Sequence, residues 1–196
     1  MPHRVFVDSN IFFSKTLLDW TFKLREHNEG MFQLHSTEDV FAEVLANMRK
    51  TNPTAPGYYT RRRLELMRLC VDEVIQNYPG NDDPATVGFT GQDPGDYHVH
   101  AAAFVARADI VLTNNDPNDI TTTPDNQHYE IITPDDFFML VVDSSPSCLL
   151  PVVRDQFEYW QSKPSHRQLD DALRRAECPY FAERVREALG RLARSM

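Results

Sequence analysis

No two cysteines in this chain are close enough in sequence to form a CxxC pair. Cys70, Cys148 and Cys178 lie far apart, as free thiols do in a reducing compartment. No apolar run approaches membrane-spanning length, so no membrane partner is expected. The opening Met1-Pro2-His3-Arg4 has none of the character of a signal peptide and leads straight into a strand-like run, so a cytoplasmic protein is expected. There is no Walker loop and no GxGxxG to cradle a nucleotide phosphate. A nucleophilic Ser or Cys lacks an elbow and a partner base. Internal repeats and low-complexity tracts are also missing.

Positive charge is scarce in most of the chain. Residues 1–153 carry 11 basic and 22 acidic side chains, a balance of −11. Residues 154–196 carry nine basic and seven acidic, +2, which together give the formal −9. An acidic body is a poor general nucleic-acid binder and suits metal cations or a basic protein partner. Any grip on nucleic acid must come from local basic patches. The 196 residues, 41% of them hydrophobic, suffice for one α/β domain with a real core plus an appendage.

The strongest local pattern runs from Asp93 to Asp116. Asp93-Pro94-Gly95 delivers Asp96 to the start of an apolar helix, at the N-cap or in the first turn. Val99, Ala102, Ala103 and Ala106 repeat at helical spacing, and their small size permits close packing. Ala108 to Leu112 reads as a buried strand that ends in Thr113-Asn114-Asn115-Asp116. Earlier, Val5-Phe6-Val7 is a strand ending in Asp8-Ser9-Asn10, followed by an amphipathic stretch with Leu17, Leu18, Phe22 and Leu24. Asp8 is either a helix cap or a site acid. Phe32 to His35 is a second strand, and Ser36-Thr37-Glu38-Asp39 opens a helix whose apolar face is Val40, Val44 and Met48, flanked by Phe41 and Leu45. Glu43 sits among these, either facing solvent or met by something cationic.

Tyr58 to Asn77 reads as one helix with Leu64, Met67, Val71, Val74 and Ile75 buried. It opens with Tyr58, Tyr59, Arg61, Arg62 and Arg63, which either form a solvated charged face or grip phosphates and stack bases. Tyr129 to Ile132 is a further strand, and Thr133-Pro134-Asp135-Asp136 reads as a cap, a first-turn Pro and an acidic first turn. Strands alternating with helices predict a mostly parallel sheet flanked by helices. The Ser/Pro-rich stretch at 143–147 suggests a boundary, with domain 1–143 followed by a helical extension 144–196.

The acids at element junctions are Asp8, Glu43, Asp96 and Asp116, with Asp93 and Asp119 close by. Clustered carboxylates raise each other's pKa unless a cation offsets them. Hard oxygen ligands suit Mg²⁺ or Mn²⁺ rather than zinc. His98 and His100 near Asp96 read as packing or solvated histidines, and His3 and His35 as structural ones.

On these motifs the chain resembles the PIN-domain ribonucleases of the VapC toxin type. Val5 to Asn10 is similar to the family's opening strand, acid and small polar residue. Val40 to Leu45 is similar to its helix with an embedded acid, and Asp96 to Ala103 to its acid and alanine-rich helix. Ala108 to Asp116 is similar to the strand entering the fourth acid. The resemblance implies a PIN-like fold and a metal-dependent endoribonuclease, the toxin of a toxin–antitoxin pair. Asp8, Glu43, Asp96 and Asp116 would hold Mg²⁺ or Mn²⁺, supported by Ser9, Asn10, Thr113 and Asn115. A small antitoxin would inhibit by entering the acidic groove, and a homodimer is expected. The sequence departs from the pattern around the fourth acid: Asn115, Asp116 or Asp119 fits that position, with Asp116 favoured and Asp119 and Asp93 in reserve. The extension resembles the added helical segment of larger VapC-like proteins. Two other readings stand beside this one. In an aspartyl-phosphate phosphatase Asp8 would be the nucleophile, but that class wants a second acid where Asn10 stands. The alternative is a PIN fold kept as a non-catalytic interaction module.

Overall fold

A computed structural model of the chain describes residues 1–80, 82, 87–163 and 168–195. They form two compact units, each built from two separate segments. The first comprises Met1–Phe13 and Gly30–Ile132, the second Ser14–Glu29 and Thr133–Met196.

The first unit holds a sheet of five parallel strands: β1 (His3–Val7), β2 (Phe32–Thr37), β3 (Glu73–Ile75), β4 (Ile110–Leu112) and β5 (Glu130–Ile132), in the order β3-β2-β1-β4-β5. This is the α/β architecture that the alternating pattern predicts. Val5-Phe6-Val7 of β1 and all of β4 are continuous apolar runs, as suits strands covered on both faces. Val5, Phe6, Val7, Val111 and Leu112 are essentially inaccessible to solvent. The chain steps outward from β1 through β2 to β3, then returns to β1's other side for β4 and β5. The strand order therefore reverses between β1 and β4. In such sheets the crevice beyond the strands' carboxyl ends at this reversal is where ligands bind.

The connecting helices follow from their caps. Helix α1 (Ser9–Phe13) starts directly after Asp8, and α3 (Glu38–Thr51) is capped by Thr37, whose hydroxyl accepts from Val40 N. Val40, Phe41 and Val44 form its buried face, with Phe12 of α1 edge-on to Phe41 at 5.4 Å. Helix α4 (Gly57–Cys70) ends seven residues before the sequence pattern predicts, and Val74 and Ile75 belong to β3. The reason lies at Asp72: its N–H donates to Leu34 O at 2.7 Å and its carboxylate accepts from Leu34 N at 2.8 Å, which fixes the chain beside β2. A 3-10 turn at Pro94–Asp96 leads into α5 (Tyr97–Val105), whose Val99, His100, Ala101, Ala102 and Ala103 are buried. The short α6 (Pro117–Ile120) follows β4.

The second unit is all helical: α2 (Lys15–Glu26), α7 (Pro134–Ser144), α8 (Leu149–Gln161), α9 (Leu169–Arg175) and α10 (Pro179–Ser195). Thr133 caps α7 by accepting from Asp136 N, with Pro134 in the first turn. Its core is aromatic: Phe181 lies 5.1 Å from both Trp20 and Phe138, ring centre to ring centre. Buried Asp135 accepts from Tyr180 N and Phe181 N and so closes the amino end of α10. The compact units thus divide elsewhere than at 143/144. The C-terminal helices share their core with α2 and α7, as a segment of that length too short to bury a core of its own requires. Among the described residues no single helix is long and apolar enough to cross a membrane.

Candidate functional site

Asp8 and the Thr113–Asn115 turn lie side by side because Val7 pairs with Leu112 in register, one residue before each. Asp8 is 1% exposed. Its Oδ1 accepts from Ser9 N, and its Oδ2 accepts from Thr113 Oγ1 at 2.6 Å and from Asn10 Nδ2 at 2.9 Å. Asn10 Nδ2 is also 3.0 Å from Asn115 Oδ1, and Asn10 Oδ1 accepts from Asn114 N at 3.2 Å. Asn115 Nδ2 in turn donates toward Asp96, 3.3 and 3.2 Å from its two carboxylate oxygens. An amide and hydroxyl lattice therefore joins a carboxylate at the end of β1 to one at the start of α5.

The two acids repel. Burial pushes the Asp8 carboxyl above its usual range, and the charge of Glu43 adds to this against hydrogen bonds from Thr113 and Ser9. Burial likewise raises Asp96 to about 6, with the negative charge of Asp8 the next cause, then Asp93 and Asp119, against the hydrogen bond from Asn115. Asp96 occupies the N-cap position of α5, yet its side chain makes no capping bond. Asp93 makes the local one, accepting from Gly95 N at 2.8 Å, which leaves Asp96 available to face Asn115.

Glu43, partly exposed, is met by a histidine. His98 Nε2 lies 2.9 Å from Glu43 Oε1. That bond is the largest influence holding the Glu43 carboxyl below its usual range. Burial alone would lower His98, but the Glu43 bond and the charges of Glu43, Asp8 and Asp39 outweigh it and raise its pKa. The sequence reads His98 and His100 alike, as packing or solvated histidines, and nothing in a single sequence separates the Glu43 partner from His100, which is a core histidine bonded to Tyr129 OH and Val87 O. Tyr78 carries no sequence signal of a role at the site. Its phenol donates to Asp39, and Tyr97 OH donates to Pro79 O, which pins the 78–79 segment beside Glu43's helix.

The region of the fourth acid divides its labour. Asp116 is exposed and caps α6, accepting from Asn118 N and Nδ2, each at 2.9 Å. Asp119 is half-buried, its carbonyl accepts from Asp93 N, and its charge is among those that raise Asp96. Asn115 lies between Asn10 and Asp96. At the start of α4, Tyr58 and Tyr59 are 63% and 53% exposed and stacked at 4.5 Å. Arg61 pairs with Glu65 at 2.9 Å, and Arg62 is exposed. Arg63 turns inward to the carbonyls of Phe12 and Phe13, where it closes the end of α1.

Asp8, buried, and Asp96, half-buried, place carboxylate oxygens, the donor type a hard cation takes, near the sheet's reversal point. Mg²⁺ is commonly held by one or two carboxylates with water and phosphate oxygens filling its other positions. Among the described residues no three His, Cys, Asp or Glu side chains gather closely enough to hold an ion by themselves. Compared with family models, with curated proteins and with solved structures, the chain finds no match.

Proposed function

We propose that this protein is a metal-dependent endoribonuclease of the PIN-domain, VapC-toxin kind, acting in the cytoplasm. The observation that carries the reading is the lattice that links Asp8 to Asp96 at the reversal point of the sheet. Like charges kept together in this way favour a divalent cation, Mg²⁺ or Mn²⁺. A cation bound there would polarise a phosphoryl oxygen and acidify a water, which is what phosphodiester hydrolysis needs. Asp8 and Asp96 bind it; Thr113, Asn10 and the Ser9 N–H orient Asp8, and Asn115 orients Asp96. Glu43, with His98 as its counter-ion, and Asp119 supply the outer negative field, and Asp119 suits the fourth acidic position better than Asp116 does. A small antitoxin is the partner this reading expects, with a basic side chain entering among the acids, and the toxin itself is expected to dimerise.

The test is cleavage of total cellular RNA by the purified chain with Mg²⁺ or Mn²⁺, with EDTA, and by Asp96→Asn. Discrete fragments that vanish with EDTA and in the variant support the proposal. Absence of fragments with either metal, from folded and inhibitor-free protein, refutes it.

A second reading, a non-catalytic interaction module, is favoured by one observation: Glu43 is engaged by His98 and Asp116 by its cap, so no three-residue metal cluster forms among the described residues. Heat unfolding with and without Mn²⁺ separates the two. A metal site raises the melting temperature as the ion concentration rises; a bare scaffold leaves it fixed.

A further inference from the structure

Within the second unit a cleft of about 770 Å³ opens between the carboxyl-terminal half of α10 and the α7–α8 corner. One wall is apolar, formed by Val142, Pro146 and Leu149. The other, on α10, carries Arg184, Arg186, Arg191 and Arg194 together with Glu187. Positions 184, 187, 191 and 194 follow one another at the helical three-and-four spacing, so Arg184, Arg191 and Arg194 share a single row with Glu187. From Arg184 to Arg194 that row runs about 15 Å along the axis. Gly190 sits in its middle, and a Cβ there would meet nothing within 4 Å, so the space beside the row is open.

The arginines are not all occupied. Arg184 pairs with Asp143, and Arg186 with Glu183 at 3.0 Å. Arg191 and Arg194 are exposed, and neither has a carboxylate partner among the described residues. Glu187 is the single acid in the lining. At the start of α4, by contrast, Arg61 and Arg63 are already engaged.

We propose that this cleft binds single-stranded RNA, with Arg191 and Arg194 on successive phosphates and the Val142–Leu149 wall against the riboses and bases. A row of separated guanidiniums fits a chain of charges better than one compact anion. Guanidinium planes both chelate phosphate and stack on bases, and the facing apolar wall suits a base or ribose better than an acidic side chain. The molecule's net charge of −9 repels RNA at long range, so a local basic cleft is what a hold on RNA requires. Naming RNA as the polyanion rests on the nuclease reading above.

The experiment is fluorescence anisotropy of a labelled 20-nucleotide RNA with the full-length Asp96→Asn chain in EDTA, across a KCl series. Its outcome does not depend on turnover. Arg191→Ala/Arg194→Ala should weaken binding roughly tenfold, uniformly across sequences, and reduce the salt slope by about 1.4. Gly190→Leu keeps every charge but fills the cleft; it should weaken binding with the slope reduced as well. All three positions are exposed or open, and an unchanged melting curve verifies the fold. Unchanged affinity and slope in both variants overturn the proposal, as does a polyglutamate peptide that competes as well as RNA of equal charge. RNA cleavage by the parent chain is scored separately. Cleavage with an unaltered slope removes the cleft alone, while an altered slope without cleavage removes the nuclease reading and leaves the cleft.

Discussion

Asp96 binds its proton more tightly in the fold than in the unfolded chain. Its stabilising contribution is therefore fully present below the unfolded value of 3.8 and is lost as pH rises to about 6. Asp96→Asn removes the charge and keeps the shape. The variant should melt higher than the parent at pH 7, by roughly 2–4 °C once solvent screening is allowed for, and the gap should close by pH 4. A melting series from pH 4 to 8 measures this. A variant that melts lower at pH 7 would mean that the acid holds the fold rather than straining it. Asn10 has the opposite character. Its amide serves Asp8, Thr113 and Asn115 together, so Asn10→Ala leaves partly buried acceptors unmet and should cost about 1–3 kcal/mol in urea unfolding.

At this scale the sequence points to individual acids, and the structure links two of them, Asp8 and Asp96, through Asn10 and Asn115. Glu43 stands out because it lies more than a turn into α3 among apolar neighbours, and Asp8 and Asp96 because each is an acid where a strand ends or a helix begins. Asp116 stands out for the same reason, but Asp-Pro-Asn is also a good helix start, and it is Asp116 that caps α6. Sequence position cannot tell an acid that caps from one that faces a neighbouring acid. His98 was illegible because its role is set by Glu43, 55 residues away in the chain.

Two helix ends show what local structure tolerates. Helix α5 closes with Ala108 N donating to Ala103 O and Arg107 N to Phe104 O; α9 closes with Cys178 N donating to Leu173 O and Glu177 N to Arg174 O. Both are Schellman closures, which favour glycine at the left-handed position. This chain has Arg107 at φ 50° and Glu177 at φ 62° there. Arg107→Gly and Glu177→Gly should each raise stability by about 0.5–1 kcal/mol, seen as a higher urea midpoint at constant slope. An unchanged or lower midpoint would show that side-chain contacts at these positions outweigh the strain.

Thr37 and Thr133 were readable as caps because their side-chain chemistry is local. The end of α4 was not. Leu64, Met67, Val71, Val74 and Ile75 continue a helical period, but the three β-branched residues suit a strand equally, and the pairing of Asp72 with Leu34 decides. The decisive partner is 38 residues away, beyond any window of periodicity.

For the whole molecule, the alternation of strands and helices gave the parallel sheet, because parallel strands need crossover connections. The division into units was hidden. The apolar face of α2 (Leu17, Leu18, Trp20, Leu24) reads the same whichever core receives it. A fragment ending at 143 keeps α2 and α7 but loses Phe181 and the rest of α10. Trp20 and Phe138 would lose their shared aromatic partner. That fragment should bind a hydrophobic dye such as ANS and aggregate, whereas the full chain should not; a soluble, dye-silent fragment would refute this account.

The chain passes between the two units three times, after Phe13, Glu29 and Ile132. The residues of the sheet and of the Asp8–Asp96 lattice have all been synthesised once Ile132 is made, whereas α2, made early, must wait for residues 133–196. At 5–20 residues per second that wait lasts about 3–13 s. During synthesis the apolar face that carries Trp20 therefore waits seconds for the helices that complete its core, while the residues of the sheet are already made.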